Sequence, residues 1–221
     1  MRLVQPSFVV LTPSDYFDGM LARIEVPGRV CYRSEDKITE TSAPAFVSML
    51  IKRGHTAMLE HGGLISVLFH VDRGVANEIV RHRIASYAQS STRYCDYSKG
   101  KFGGEVTFID ARPHLPTKDH DFWVACMGEC EAAYLTLRER GVSPQMARSV
   151  LPLALKTEIV VSMNPVAWRH FFALRTPATA HPQMREVTMP LLAAFRALVP
   201  VLFDDVGEAA DVWTTELGDT Q

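Results

Sequence analysis

Several things are scarce in this chain of 221 residues, and each scarcity removes a class of function. No apolar run approaches the length of about twenty residues that a membrane-crossing helix needs. The start, Met1-Arg2-Leu3-Val4-Gln5-Pro6, has neither an apolar signal core nor a small-residue cleavage site. A net charge of −2 leaves no basic excess to neutralise a run of phosphates, which argues against a nucleic-acid binder. The four cysteines, Cys31, Cys95, Cys126 and Cys130, are too few for a disulfide framework at this size. Cys126 and Cys130 stand one helical turn apart, which suits a buried helix face better than a metal site. These absences predict a soluble cytoplasmic protein with no nucleic-acid or membrane partner.

Acidic residues are missing from one stretch in particular. Arg81-His82-Arg83-Ile84-Ala85-Ser86-Tyr87-Ala88-Gln89-Ser90-Ser91-Thr92-Arg93-Tyr94 holds three guanidiniums, an imidazole and a run of hydroxyls. Such a cluster repels itself unless anions sit among the charges. Arginine suits that task because its planar fork makes parallel charge-assisted bonds to phosphate or carboxylate. Hydroxyls and backbone N–H groups beside the arginines complete a cradle, so the segment predicts binding of phosphorylated ligands.

The remaining chain, 47 % hydrophobic, is long enough for one full core or two small ones. Residues 2–11 predict a first strand, and Ser14 caps a helix over 15–25 that Pro27-Gly28 ends. Thr41 or Ser42 caps a second helix with Phe46, Met49 and Leu50 inward, closed by Gly54. His55 to Gly63 reads as a loop or short turn. Its His55, Glu60 and His61 lack the spacing of a zinc-protease helix, so a hydrogen-bonded turn or an organic-cofactor contact is favoured and no metal is expected. Leu64–Val71 is a strand. From Asp72, a natural N-cap, Val75, Ala76, Ile79, Val80 and Ile84 recur at helical spacing and predict a helix over 73–86. Residues 95–120 are irregular apart from a strand at 105–109. A long helix begins at His120 or Asp121 and ends at Gly141, and Ser143-Pro144 opens another containing Arg148. Thr157–Met163 is a strand, and Asn164-Pro165 caps a helix through Trp168, Phe171, Phe172 and Leu174 to Arg175. The last helix, 183–199, is interrupted by Pro190, and an acidic tail frays from about Asp204. With no repeat and no linker, this is one α/β domain of the α+β type spanning 1–221, a mixed or antiparallel sheet flanked by helices.

Arg81-His82-Arg83, seven residues, then Ser91 with Arg93-Tyr94 resembles the signature of the flavin-dependent thymidylate synthases. Gly54-His55 with Leu59-Glu60-His61 resembles the family's upstream segment near the flavin. Ala147-Arg148-Ser149-Val150-Leu151-Pro152 resembles its later arginine motif, and Asn164, Leu174-Arg175 and His181 its C-terminal segment. The likeness runs from about residue 29 to 196. It implies a homotetramer whose active sites draw on more than one subunit, with FAD as cofactor. It further implies reductive methylation of dUMP to dTMP, with methylenetetrahydrofolate as carbon donor and NADPH as reductant. Arg81, His82 and Arg83 are implied as flavin contacts, with Ala57, Asn164, Pro165, Val166 and His170. Gln89 is implied at a position shared by flavin and nucleotide. Glu78, Ile79, Val80 and Arg81 are implied beside dUMP. Ser90, Ser91, Thr92 and Arg93 are implied to hold it, chiefly by its phosphate, with Arg148 supplied from another subunit. Arg175 is implied as the catalytic residue that favours ionisation at N3 of the uracil, where a guanidinium stabilises the anion.

Ser91 as a nucleophile lacks an acidic residue in its own stretch to orient a base, so a hydrogen bond to phosphate or base is favoured. Cys95 lies just outside the motif, with nothing to lower its pKa, and reads as structural. The chain departs from the family pattern at Glu78, where a glutamine is common, and at Ala57 and Ala88. Glu78 keeps a C5-hydroxymethylating enzyme open as an alternative. A catalytically silent flavin- or nucleotide-binding regulatory module is a second alternative, and a structural oligomerisation protein a third.

Overall fold

The computed structural model of the protein describes residues 1–207. Six strands and eight α-helices are formed among them. In order they are β1 (Arg2–Val4), β2 (Ser7–Val10), α1 (Ser14–Asp18), α2 (Met20–Tyr32), α3 (Ala43–Lys52), β3 (Ile65–Asp72), α4 (Arg73–Ile79), β4 (Ser86–Gln89), β5 (Thr107–Ile109), α5 (Thr117–Glu139), α6 (Pro144–Ala147), β6 (Lys156–Met163), α7 (Pro165–Arg175) and α8 (Pro182–Leu198). Four strands form one sheet in the order β2-β3-β6-β4, and β1 pairs with β5 in parallel. Phe108 bridges Leu155 in the antiparallel sense. The architecture is mixed α/β.

The chain divides into two compact units, each assembled from separate segments. The first comprises Met1–Phe8, Leu68–Arg81 and Tyr87–Val160; the second comprises Val9–Val67, His82–Ser86 and the remainder from Val161. In the first, Val106, Phe108, Met127, Tyr134, Ala147 and Leu155 form the core. Cys126 packs half-buried against it, on the helix face its spacing predicts. Asp110, buried in the same unit, accepts from His120 Nε2 at 2.7 Å and from the Arg112 amide at 2.9 Å. In the second unit α7 supplies the centre. Asn164 caps it by accepting from the Ala167 amide at 2.9 Å, Pro165 fits the first position, and Trp168, Phe171 and Phe172 recur at i, i+3, i+4. These rings meet Phe195 of α8 and Phe203, largely edge-to-face. Trp168 also donates Nε1–H to the Ile65 carbonyl at 3.0 Å.

Several local expectations are corrected. Residues 2–11 make two strands, because Gln5-Pro6 breaks the extended run: β1 pairs with β5 and β2 joins the four-stranded sheet. Ser14 lies inside α1, preceded by Pro13. Met49 is only half-buried; Val47 takes the inward position on α3 beside Phe46 and Leu50. His55 to Gly63 contains a 3₁₀ turn over Thr56–Gly62. The predicted helix over 73–86 stops at Ile79. Asp72 caps it as expected, accepting from the Val75 amide at 2.7 Å, but Tyr87 Oη takes the Ile79 carbonyl at 3.0 Å. Ile84, assigned inward by periodicity, is 77 % exposed. Arg81, His82 and Arg83 therefore occupy a non-helical link leading into β4, a strand the sequence reading lacks. α5 starts at Thr117, ahead of His120. α8 runs through Pro190 without a break. Residues 204–206 do not fray: Asp205 pairs with both terminal nitrogens of Arg169 at 2.6 and 2.7 Å, and Val206 is buried. The rest of the expected acidic tail, from 208, lies outside the described residues.

Pro27-Gly28 does not end α2 either. Glu25 and Arg29 straddle the pair, Arg29 donating twice to Glu25 Oε1 at 3.0 and 2.9 Å, and Ser42 donates to Glu25 Oε2 at 2.8 Å. Gly28 faces the Phe46 ring so closely that a Cβ would stand 2.6 Å from its Cε1. The glycine thus permits α2 and α3 to approach, rather than stopping a helix. Phe46 has little room to yield, since Arg29 lies over its ring at 4.2 Å and Tyr32 meets its edge. Gly28→Ala is expected to lower stability by about 1–3 kcal/mol from overpacking, less about 1 kcal/mol regained from helix propensity. The urea midpoint measures this; a midpoint raised by the full helix-propensity gain would show that the ring moves aside at no cost.

Candidate active site

The flavin and nucleotide residues expected from the sequence divide between the two units almost by role. In the second unit lie Ala57, His82, Arg83, Asn164, Pro165, Val166 and His170, together with Arg175. In the first lie Glu78, Ile79, Val80, Arg81, Gln89, Ser90, Ser91, Thr92, Arg93 and Arg148.

Within the second unit, the 3₁₀ turn bearing Ala57 is drawn against the start of α7. Gly62 sits where a Cβ would be 2.8 Å from Pro165 Cγ, so no larger residue fits without displacing that ring. Ala57 itself is exposed, as are Arg83 and His170, and Val166 is half-buried. His82 is buried, 8 % exposed, with its ring edge-on to Phe171 at 4.9 Å and near His170 at 5.8 Å. Arg175, on the last turn of α7, donates its Nε–H to His82 Nε2 at 3.0 Å. An imidazole nitrogen that accepts carries no proton, so the His82 ring is neutral with its hydrogen on Nδ1. Burial, then the charge of Arg175 and the neighbouring His170, hold its pKa down at about 4. α8 fixes the backbone beneath: Thr188 Oγ1 donates to the Arg175 carbonyl at 2.8 Å, and Arg185 to that of Thr176 at 3.1 Å.

Within the first unit, the hydroxyl run is organised by Thr157, at the head of β6. Gln89 Nε2 donates to Thr157 Oγ1 at 3.1 Å, and Ser90 Oγ meets the same oxygen at 3.0 Å. The Ser90 amide donates to the Glu158 carbonyl at 2.9 Å, while Arg73 Nη2 holds the Ser90 carbonyl at 3.0 Å. A tight turn follows. The Tyr94 and Cys95 amides both donate to the Ser91 carbonyl, at 3.2 and 2.9 Å, and the Arg93 amide reaches Ser91 Oγ at 3.3 Å. Thr92 is buried and accepts from Arg148 Nη1 at 2.9 Å. Arg148 thus reaches the motif of its own chain. Arg81 and Arg93 are exposed, and neither they nor Arg83 and Arg148 form an ion pair among the described residues. Glu78 is half-buried, Ile79 buried, and Val80 and Gln89 exposed.

Donors therefore surround two places, one by α7 and one by the turn at 91–95, and both suit anionic ligands. A family model described as thymidylate synthase complementing protein matches residues 14–201. The chain belongs to the flavin-dependent thymidylate synthase family. It is an enzyme of that family. The flavin-dependent thymidylate synthase of Geobacter sulfurreducens is 30 % identical over 192 residues, covering 84 % of this chain and 82 % of that one. Its counterpart from Mycobacterium tuberculosis is 32 % identical over 201 residues, covering 85 % and 80 %. The fold is also that of a UMP/dUMP methylase, PolB from Streptomyces cacaoi bound with 5-Br dUMP, at a TM-score of 0.72 and 21 % identity over 97 % of each chain.

Three contributors escape a reading of motifs. Thr157 and Arg73 lie outside the family signature but hold Gln89 and Ser90, and Phe171 walls the His82 ring. Thr157 carries the one faint signal, a hydroxyl residue at the first inward position of an alternating strand.

The depressed His82 pKa has a consequence for stability. An unfolded histidine titrates near 6.5, so between there and about 4 the unfolded chain binds more protons. Stability should fall as pH drops through that window, by on the order of 1 kcal/mol per pH unit from this group, and level off below it. His82→Gln removes the titration. Urea midpoints of the two proteins between pH 4 and 7 should diverge, the variant losing less on acidification; parallel curves would show that His82 is not buried neutral.

Proposed function

We propose that this protein is a flavin-dependent thymidylate synthase that reductively methylates dUMP to dTMP. Methylenetetrahydrofolate is the carbon donor and NADPH the reductant, and the protein acts as a cytoplasmic homotetramer. The observation that carries this reading is the partly buried hydrogen bond from Arg175 to His82. It joins the Arg-His-Arg motif to the C-terminal arginine segment, 93 residues apart in the chain.

The residues beside α7 fit FAD. Its diphosphate needs positive charge and helix-terminal dipole, and here Arg83 is exposed with no ion pair among the described residues, while α7 has no acidic residue in its first turn. Asn164, Pro165, Val166 and His170 hold the cofactor from α7, with Ala57 from the adjoining 3₁₀ turn and Arg81, His82 and Gln89 completing the set. Bound there and reduced by NADPH, FAD supplies the hydride. Ser91, Thr92 and Arg93 bind the dUMP phosphate, and Arg148 fixes the Thr92 hydroxyl. Ser90 and Gln89, set by Thr157, contact the nucleotide, with Glu78, Ile79, Val80 and Arg81 beside it. Arg175 stabilises the uracil anion at N3, which raises electron density at C5 and makes that carbon the nucleophile without a covalent bond to the protein.

Assembly of subunits is supported by large apolar side chains left in solvent within the motif. Ile84 is 77 % exposed and Tyr94 80 %. Light scattering should return the mass of four chains.

Purified protein should carry a flavin spectrum or acquire one with FAD, and release tritium from C5-labelled dUMP only with NADPH and methylenetetrahydrofolate. A protein that takes up no flavin, or releases no tritium with all substrates saturating, would overturn the reading; product mass distinguishes methyl from hydroxymethyl transfer. Arg175→Ala is expected to lower kcat by about 100-fold or more with little change in dUMP affinity, the range seen when a group stabilising developing charge is removed. Arg93→Ala should instead weaken dUMP binding about tenfold, the loss of one charge-assisted contact. The opposite pattern would exchange their roles.

A further inference from the structure

Arg175 has a long, flexible side chain, yet stabilising an anion at one ring nitrogen requires its guanidinium plane to be fixed before the substrate arrives. Both ends of the side chain are anchored. The backbone end is held at the Arg175 carbonyl by Thr188 and one residue on by Arg185. The far end is held at Nε by His82. Because the Nε N–H points outward in the guanidinium plane, an acceptor at 3.0 Å fixes the direction of that edge and, with the backbone end held, limits the swing of the plane. The acceptor is itself confined: His82 is buried, in edge-to-face contact with Phe171 and with His170 beside it.

We propose that His82 is a positioning residue for Arg175, its Nε2 holding the guanidinium by the Nε edge so that the charge is placed before the substrate arrives. This deepens, and rests on, the reading of Arg175 as the group facing N3. It differs from a role for His82 in flavin contact alone, since it acts through Arg175 and is indifferent to which cofactor is bound. The facing charged and titratable groups are Arg175 and His170. Protonation of Nε2 would break the bond and set two cations together, so the lock requires the neutral ring.

A double-mutant cycle in the FAD-loaded full-length enzyme tests it. His82→Leu removes the acceptor and keeps an apolar side chain against Phe171. It is expected to lower kcat by about 10- to 100-fold at saturating FAD and dUMP, the scale of a misplaced catalytic group, with dUMP KM nearly unchanged. His82→Gln, whose side-chain oxygen can reach the Nε2 position, should recover activity to within about threefold, as a near-neutral exchange of one hydrogen-bond acceptor for another. In an Arg175→Lys background, His82→Leu should produce no further loss. A readout independent of turnover is ¹⁵N NMR of the imidazole: Arg175→Ala should raise the His82 titration midpoint above about 4, because one positive neighbour is gone. If the His82→Leu loss persists undiminished in the Arg175→Lys background, or is abolished merely by excess FAD, the positioning role is wrong. If Arg175→Ala itself leaves kcat unchanged, the N3 reading fails instead, and the NMR shift still reports whether the two side chains are coupled.

Discussion

A neutral imidazole buried against an arginine is the constraint on which the second unit is arranged. A buried histidine resists protonation, and an arginine cannot give up its charge, so the only stable pairing has the ring accepting. That pairing requires hydrophobic walls to keep the ring dry and a rigid support for the arginine. The aromatic cluster of Trp168, Phe171, Phe172, Phe195 and Phe203 supplies both, since α7 carries the wall residue Phe171 and the arginine on one helix. The capping of α7 by Asn164 and its packing on α8 are therefore upstream of the site's electrostatics: a helix that frayed at either end would release Arg175 and admit water to His82.

The first unit solves a different problem with neutral groups. Ser90 and Gln89 converge on one hydroxyl, Thr157 Oγ1, and the following turn folds back on the Ser91 carbonyl. Hydroxyl and amide groups held this way present donors at fixed spacing without adding charge, so the arginines nearby can supply charge without also having to set geometry. The division matters because the proposed phosphate recognition needs both. A chain of guanidiniums alone would bind anions of many shapes.

Much of this was legible where a residue type has one dominant local use. Asp72 and Asn164 act as caps, and the strands β3 and β6 and the spacing along α7 are as the sequence suggests. The misreadings occur where a tertiary contact overrides a local rule. Pro27-Gly28 reads as a stop, but Phe46 needs the glycine and Glu25–Arg29 bridges the proline. Val80 and Ile84 continue a helical period on paper, whereas the Tyr87 hydroxyl captures the helix-terminal carbonyl and the chain turns into β4. In consequence the Arg-His-Arg motif, read as a helix face, lies in a non-helical link, with His82 buried and Arg81 and Arg83 in solvent. No local pattern announces Thr157 or Phe171, because their roles exist only once distant segments meet.

The arginines themselves separate structural from functional use. Arg29 is spent on Glu25, Arg138 on Asp96 and Arg169 on Asp205, each through two side-chain bonds to a carboxylate. Such pairs fix elements in place, and the Arg138 bonds hold the Asp96 carboxyl far below its ordinary pKa. Arg81, Arg83, Arg93 and Arg148 have no such partner among the described residues, although the chain as a whole carries a small negative excess. With acidic residues in the majority, leaving these four without one cannot follow from composition; it follows from where the carboxylates are placed. An exposed guanidinium is stable in water without a carboxylate, and the anion of the proposed phosphate site would supply at Arg93 and Arg148 the counter-charge that the chain does not.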